Sequence, residues 1–580
     1  MNILAISPGH NGSICLLKDG KIDLFVEEER ITRVKYDGNP LRTLYEILKT
    51  TKIDKLVLGG TSKGMYPEQT WSGGDVYTGA VRRYNPDVEV IDYTSNHHIG
   101  HAAAAFYNSG FDNAAAVVVD GAGSFFNYDL DTGFPFRVEG FETETIVHCN
   151  YDSEFKLEYK SIGANYGPKI VSDDGRVKFD GNVNINKAYE SVTSYAGFHP
   201  IEAGKLMGLS SYGGPNENIP DLFLGEDADK NIFTPTYPAG GVVNVHSNPK
   251  FKLSETHSIQ FNGKWENITD NPKDLKLVQD FAWKIQQETQ RLVGDLIQKA
   301  IDFTGENNIV ISGGYGLNCV ANYYYKKRFP EINFFVDPIS SDAGTSLGLA
   351  KLTWFTYCRE NNISTEKSPL ITLYLGRDRN DEVDATKYTD EFIVYEATPE
   401  SVAKLISEEN IVSLFNGRAE AGPRALGNRS ILFDPRAKNG KDLVNVVKGR
   451  EWFRPFAGTV MKEYMNDWFD MAGLEESPFM MYAVDVLPEK LEQVTCITHV
   501  DNTCRIQTVT QEQNEHYYNL IDAFHKLTGV PILFNTSFNL AGDPLVETFE
   551  DAINTLRKSK LKYLYIPSKR ILMEKKDGNV

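Results

Sequence analysis

No run of about 18 consecutive apolar residues occurs in this 580-residue chain, so no membrane-crossing helix is expected. The opening MNILAIS reads directly as a strand with no basic segment before it, which argues against a secretory leader and for the cytoplasm. Cysteine is scarce: six residues, at 15, 149, 319, 358, 496 and 504, with no CxxC pair and no zinc-ribbon spacing. Neither a disulfide framework nor a thiolate zinc site is expected, and free thiols in a reducing compartment are the simplest account. Positive charge is also in short supply, with 60 Lys and Arg against 79 Asp and Glu and a formal charge of −19. That balance argues against a broad basic face for nucleic acid or anionic lipid, though not against a local basic channel. The last 24 residues do gather Arg557, Lys558, Lys560, Lys562, Lys569, Arg570, Lys575 and Lys576. A charge run of this kind is ordinarily a solvated helix face and tail. No internal repeat is visible.

What is present is enough apolar material for a large core, 41% hydrophobic and 12% aromatic, in a length suited to several domains. Buried strands alternate with helices, which makes the chain α/β. NILAIS is a strand. ICLLKDGKIDLFVEEER reads as two more, turning at Asp19-Gly20. HHIGHAAAAFYNSG (97–110) reads as an Ala-rich helix ended by Gly110, and residues 278–305 as a long amphipathic helix. Residues 132–275 mix short strands with Gly, Asn and Pro, and are expected to shape a substrate pocket. The pattern breaks at NISTEKSPLIT (362–372), which places a domain boundary there and divides the chain into 1–365 and 366–580.

Three groups of residues carry chemistry. His97 and His101 stand four apart on one helical face. Position 98 is His rather than Glu, so this is not a zinc-protease HExxH. Asp120 ends a buried strand and Asp342 opens a helix after another; two imidazoles and two carboxylates suit Fe(II), Mn(II) or Zn(II) with positions left for a substrate oxygen. The plainer reading is a helix-start histidine pair with two capping Asp. The second group is three Gly turns after apolar strands, SPGHNGS (7–13), DGAGS (120–124) and SGGYGLN (312–318). Their backbone N–H groups can cradle phosphate, and three of them fit a duplicated nucleotide-binding core of the actin and sugar-kinase type. His10, in the first, can take a proton near neutral pH or simply bond locally in its turn. The third is GRAEAGPRALGNRSILFDPR (417–436) with KGREWFRPFAG (448–458), in which Arg418, Arg424, Arg429, Arg436, Lys448, Arg450 and Arg454 crowd among small residues. So many cations in an acidic protein point to a compact anion, or else to a salt-bridge network. FNTSFN (534–539) adds Asn535, Ser537 and Asn539 as polar donors.

These strings, with VEEERITRVK, GKLMGLSSYG and SDAGTSLGLA, resemble the O-carbamoyltransferases of antibiotic and nodulation-factor biosynthesis, the NodU and CmcH family. The resemblance runs from residue 26 to 539. It implies an N-terminal duplicated actin-like ATPase-core domain, TsaD-like, that transfers a carbamoyl group with a metal. It further implies a C-terminal YrdC-like α/β domain that makes carbamoyl-adenylate from carbamoyl phosphate and ATP. Carried over, the metal ligands are His97, His101, Asp120 and Asp342, and the metal is of the iron type. His10 helps deprotonate the acceptor hydroxyl. Arg424, Arg429, Lys448, Arg454, Asn535 and Ser537 form the adenylate. Gly121, Gly123, Ser124, Ser312, Gly313, Gly314 and Asn318, with Lys205 of GKLMGLSSYG, hold its phosphate and adenosine, and Mg accompanies ATP. SPGHNGS and SSYG depart from the family's usual turns, where His-Asp and APYG are common. The expected acceptor is a hydroxyl on a natural product or sugar-like small molecule, with a homodimer as one assembly. Carbamoylation of a hydroxymethylated base in DNA or RNA, threonylcarbamoyl-type modification of tRNA, and a non-catalytic ATP-binding module are the competing readings.

Overall fold

The computed structural model describes residues 1–60, 75–131, 135–164, 170–172, 174–180, 184–217, 219, 221–223 and 276–576, with short strands between 233 and 267. Part of the stretch 132–275, expected to shape a pocket, therefore lies outside the described residues. No helix among the described residues is long and apolar enough to cross a membrane. All six cysteines are buried and unpaired.

The first sheet is built on NILAIS, buried from Ile3 to Ser7. Asn2–Ser7 pairs antiparallel with Ser13–Lys18, which turns at Asp19-Gly20 into Lys21–Glu27. Both turn residues have positive φ, 48° and 78°, the backbone of a tight hairpin whose twist matches its strands. On the other side Lys55–Leu58 and then Glu89–Asp92 add in parallel. The second sheet repeats this plan. Asn113–Val119 pairs antiparallel with Pro135–Asn150, which pairs with Lys156–Gly163; on its other side Asn308–Ser312 and Asn333–Val336 add in parallel. The five strands of the first sheet run 3-2-1-4-5, and the five corresponding strands of the second follow the same order; the second sheet carries three more, Phe125–Asp131 paired on Pro135–Asn150, and Val177–Asp180 and Ile170–Val171 beyond Lys156–Gly163. Each unit ends in a helix after its fifth strand, His97–Ser109 in one and Ala343–Glu360 in the other. These two helices pack closely. A methyl on Gly348 would meet the carbonyl oxygen of Gly100 at 2.1 Å, and one on Gly100 would meet Thr345 at 3.2 Å. Small residues at the crossing let the backbones approach and bring both helix starts to one place.

One expected strand ends early. Glu28–Thr32 is a helix, because the Glu28 N–H donates to Gly12 O while its carboxylate caps a distant helix, accepting from Arg42 N–H, Thr43 N–H and the Thr43 hydroxyl. Beyond Glu360 no helix or strand occurs before Asn380, and a third, mixed sheet then organises the C-terminal part. At its centre Arg429–Phe433 pairs with Val412–Phe415 and Ile532–Ser537, and Ala457–Met461 pairs with Thr503–Val509. The main core runs without a break from Ile3 and Val117 to Phe453 and Phe534. Buried polar contacts cross between the two parts as well. Arg30 donates to Glu420 O at 3.2 Å and Gly422 O at 2.6 Å, and Asn322 Nδ2 to Met481 O at 2.9 Å.

Candidate metal centre and cationic pocket

The repeated topology explains why a site forms where it does. His97 begins the last helix of the first unit, and Asp342 immediately precedes the last helix of the second. Asp120 follows the first strand of the second unit, and His10 follows the first strand of the first. The four residues are thus two pseudo-equivalent pairs facing each other across the helix crossing, joined by His101 one turn along.

The ligand atoms of His97, His101, Asp120 and Asp342 all lie within 4.8 Å of one another. His101 Nε2 is 3.2 Å from His97 Nε2, which is 3.5 Å from Asp120 Oδ2 and 3.6 Å from Asp342 Oδ1. These three separations lie near the edge, about 3.4 Å, of a tetrahedron with bonds of about 2.1 Å, while His101 Nε2 and Asp342 Oδ1 stand wider, at 3.9 Å. Two imidazole nitrogens pointed at each other beside two carboxylates form a donor set that fits a first-row divalent cation. Electrostatics agree. Burial opposes charge on His97, but Asp342 and Asp120 outweigh it and lift its pKa to about 10. Burial and then His97 depress His101 to about 3. Against their own burial, His10 and His97 hold Asp342 at about 2, and His97 and His101 hold Asp120 well below the carboxylate range. The site is therefore an anionic cup that concentrates positive charge at one point. His10 sits at its mouth, half exposed, with Nδ1 3.4 Å from Asp342 Oδ2.

The Gly turns wall this cup, though several side chains expected to hold nucleotide are committed elsewhere. Gly314 N–H donates to Asp120 Oδ1 at 3.1 Å, and Gly313 has φ +88° with no room for a Cβ against Val119 O. Ser124 is fully buried, and its hydroxyl accepts from His97 N–H at 3.0 Å. Ser312 is equally buried and bonds His101 Nδ1 at 3.2 Å. Asn318 caps the helix Cys319–Arg328 and bonds Gln286. The close backbone at Gly123 is filled by the His98 ring and Glu142, and Gly121 lies against Glu190. Several backbone N–H groups of the turns are committed too: Gly123 donates to Glu142 O at 2.8 Å, Ser124 to Glu142 Oε1 at 3.1 Å and Gly316 to Gly313 O at 2.8 Å. Lys205 stands apart from them, paired with Glu202 at 2.7 Å and Glu451 at 2.8 Å.

In the C-terminal part the Arg and Lys side chains sort into two kinds. Arg429 turns into the core. It stacks on Phe415 at 3.8 Å and donates to the carbonyls of Asn416, Asn428, Gly417 and Glu547, so it fastens the loop rather than facing substrate. Asn535 is likewise buried, donating to Ala425 O and Thr459 Oγ1 at 3.1 Å. Arg418 donates to Asp23 O, and Arg436 pairs with Asp434. The second kind is crowded and short of acids. Lys448 donates to Ser537 O, to Ser537 Oγ at 3.2 Å and to Asn539 Oδ1 at 3.1 Å. Burial, Arg450 and Arg454 push it well below the usual lysine range. Arg424 is pushed down to about 9 by burial and by Arg505 and Arg454, and Arg450 well down by burial and the same two neighbours. The Nε atoms of Arg424, Arg450 and Arg505 are buried without a hydrogen-bond partner among the described residues. Glu451, shared with Lys205, pairs with Arg454 at 3.5 Å. A guanidinium keeps its proton at neutral pH, so this crowding is strain that a bound polyanion would relieve. Arg505 went unread in the sequence; its one signal is an Arg inside the apolar strand TCRIQTV.

A single short turn touches both sites. Gly314–Leu317 has its first N–H on Asp120, and its last carbonyl accepts from Arg424 at 3.3 Å. At roughly 2 Å of rise per residue the two sites share a wall. In the basic C-terminal stretch Arg557 pairs with Glu391 and Glu550, Lys562 with Glu574 and Arg570 with Glu396.

A His and Asp cluster that could hold a metal ion and a cluster of buried cations thus meet across one turn of an α/β chain. The family model for the carbamoyltransferase N-terminus matches residues 60–351, and that for the carbamoyltransferase C-terminus matches residues 403–575. The chain belongs to the carbamoyltransferase family and is an enzyme of that class. It is 28% identical to nodulation protein NolNO of Sinorhizobium fredii, over 96% of this chain and 78% of that one. It is 25% identical to the 3'-hydroxymethylcephem-O-carbamoyltransferase of Streptomyces clavuligerus, over 95% of both. Among solved structures, full-length HypF in a phosphate- and nucleotide-bound form aligns with 63% of this chain and 56% of its own, at a TM-score of 0.30 and 13% identity.

Proposed function

We propose that the protein is an ATP-dependent O-carbamoyltransferase acting on a small-molecule hydroxyl, with an actin-like N-terminal unit and a YrdC-like C-terminal unit. In the C-terminal pocket carbamoyl phosphate and ATP give carbamoyl-adenylate, with one water consumed and pyrophosphate and phosphate released. Lys448, Arg424, Arg450 and Arg454 offset the charge of both substrates and hold them in line, and Ser537 supplies a polar contact beside Lys448. Mg accompanies ATP.

The adenylate then passes to the N-terminal cup, where the acceptor oxygen attacks the carbamoyl carbon and AMP leaves. His10, exposed at the mouth and in contact with Asp342, takes the hydroxyl proton. His97, His101, Asp120 and Asp342 would hold Fe(II), or Mn(II) or Zn(II), which supplies Lewis-acid polarisation of the carbamoyl oxygen when bound. Backbone N–H groups of the turns at 120–124 and 312–318 orient the phosphate.

The observation that carries this reading is the turn Gly314–Leu317, which contacts a metal ligand at one end and the cationic pocket at the other. A reactive intermediate made on one side needs a short route to the other. The cephem relative, by its name, carbamoylates a hydroxymethyl group on a small molecule, which favours that acceptor class. The test supplies ATP, Mg²⁺ and isotopically labelled carbamoyl phosphate with a panel of hydroxylated small molecules. Wild type is expected to label one of them, and His10→Ala to accumulate labelled adenylate with transfer reduced at least about 100-fold. Equal loss of both steps in His10→Ala would overturn the assignment.

A further inference from the structure

Behind the histidine pair lies a row of buried polar groups that the reaction above does not use. Ser312 ends the strand Asn308–Ser312, and its hydroxyl is 3.2 Å from His101 Nδ1. On its far side the same hydroxyl lies 3.5 Å from Asp337 Oδ2. Asp337 follows the strand Asn333–Val336 and is fully buried; its other oxygen accepts from Asn108 Nδ2 and from Ile339 N–H, each at 3.4 Å. Asn108 in turn accepts from the buried Lys351 ammonium at 2.9 Å. The row therefore runs Lys351, Asn108, Asp337, Ser312, His101, through the interior between the two sheets' last helices.

A buried carboxylate with no cation in direct contact is costly, and apolar packing would serve a core better. The chemistry of a ligand imidazole gives it a use. For His101 to present the Nε2 lone pair to a cation, its proton must sit on Nδ1 and be donated outward. Ser312 Oγ accepts that proton in good geometry only if its own hydrogen is aimed elsewhere, and Asp337 Oδ2 is an acceptor that can receive it. Donation then runs one way, from imidazole to hydroxyl to carboxylate. His97 Nδ1, by contrast, has no partner among the described residues, so the relay acts on one histidine of the pair.

We propose that Asp337, acting through Ser312, is a positioning residue that fixes the tautomer and ring orientation of His101 as a cation ligand; this rests on the metal-centre reading above. The test titrates the full-length protein with Co(II), read by its visible ligand-field absorption, and with Zn(II) in competition with a chelator. Asp337→Asn removes the charge at constant volume, and Ser312→Ala removes the relay. Each is expected to weaken cation binding about 10–100-fold, and the double variant to weaken it no further than either single, because all three break one connection. Unchanged affinities, or losses that simply add, overturn the inference. Should Asp337→Asn fail to fold, Ser312→Ala decides alone: wild-type affinity overturns the proposal. If wild type takes up no equivalent of Co(II), or His101→Ala takes it up as wild type does, the metal-centre reading itself fails, and the relay with it.

Discussion

A buried cation without a carboxylate beside it is expensive, and the C-terminal pocket holds several. Lys448 makes the consequence measurable. Its folded pKa lies well below the ordinary 10.5 through burial, Arg450 and Arg454. Below 10.5 the unfolded chain binds this proton more readily than the folded one, so the lysine's cost is full at low pH and fades as pH rises towards 10.5. The stability of wild type relative to Lys448→Met is therefore expected to rise with pH over the alkaline range in urea titrations. Saturating tripolyphosphate, by holding the proton in place, should flatten that rise and raise the melting temperature of wild type. A pH-independent difference would contradict the assignment. At this scale the sequence was legible in residue type and not in direction. His97 and His101 could be named because helical spacing is local, and Asp120 and Asp342 because each stands at the end of an apolar strand or the start of a helix. Arg429 and Ser124 carried the same apparent promise in Gly-rich strings, but their side chains are claimed by Glu547 O and by His97 N–H, partners far away in the chain.

Elements place these residues, and two of them bear unusual demands. The turn at 313–317 needs Gly313, whose φ is +88° and whose Cβ would sit 2.3 Å from Val119 O. Gly313→Ala is expected to lose more than about 1–2 kcal/mol in denaturant unfolding, and to lower both adenylate formation and transfer, because the turn walls both sites. Stability within 0.5 kcal/mol of wild type would contradict this. The helix Glu28–Thr32 bears the other demand. Arg30 pairs with Glu27 at 2.7 Å while donating to Glu420 O and Gly422 O. Arg30→Met strands the buried Glu27 carboxylate and should cost about 3–5 kcal/mol, whereas Arg30→Met with Glu27→Gln should recover much of it. No recovery in the double variant would show that the interunit contacts dominate instead. Helices such as His97–Ser109 could be read because their caps and periodicity lie within one window. The helix at Glu28 could not, because what ends the strand is the capping of a helix start at Arg42 and Thr43.

For the whole molecule, the duplication shows how a site can be written twice without a sequence repeat. Five strands of each of the first two sheets share the order 3-2-1-4-5, yet their sequences differ, because any apolar strand and any small-residue turn satisfy the geometry. Three Gly turns after apolar strands were the legible trace of it. The contact between the anion pocket and the metal cup was not legible, since it depends on Arg424 meeting Leu317 O across 107 positions. The proposed function requires the C-terminal part to make an intermediate that the N-terminal cup consumes. The direct measurement gives purified full-length protein ATP, Mg²⁺ and carbamoyl phosphate without any acceptor, and follows carbamoyl-adenylate and pyrophosphate by mass spectrometry. Both products are expected, undiminished in His97→Ala and lost in Lys448→Met. ATP binding without adenylate or pyrophosphate, in protein loaded with its cation, would contradict the proposed function.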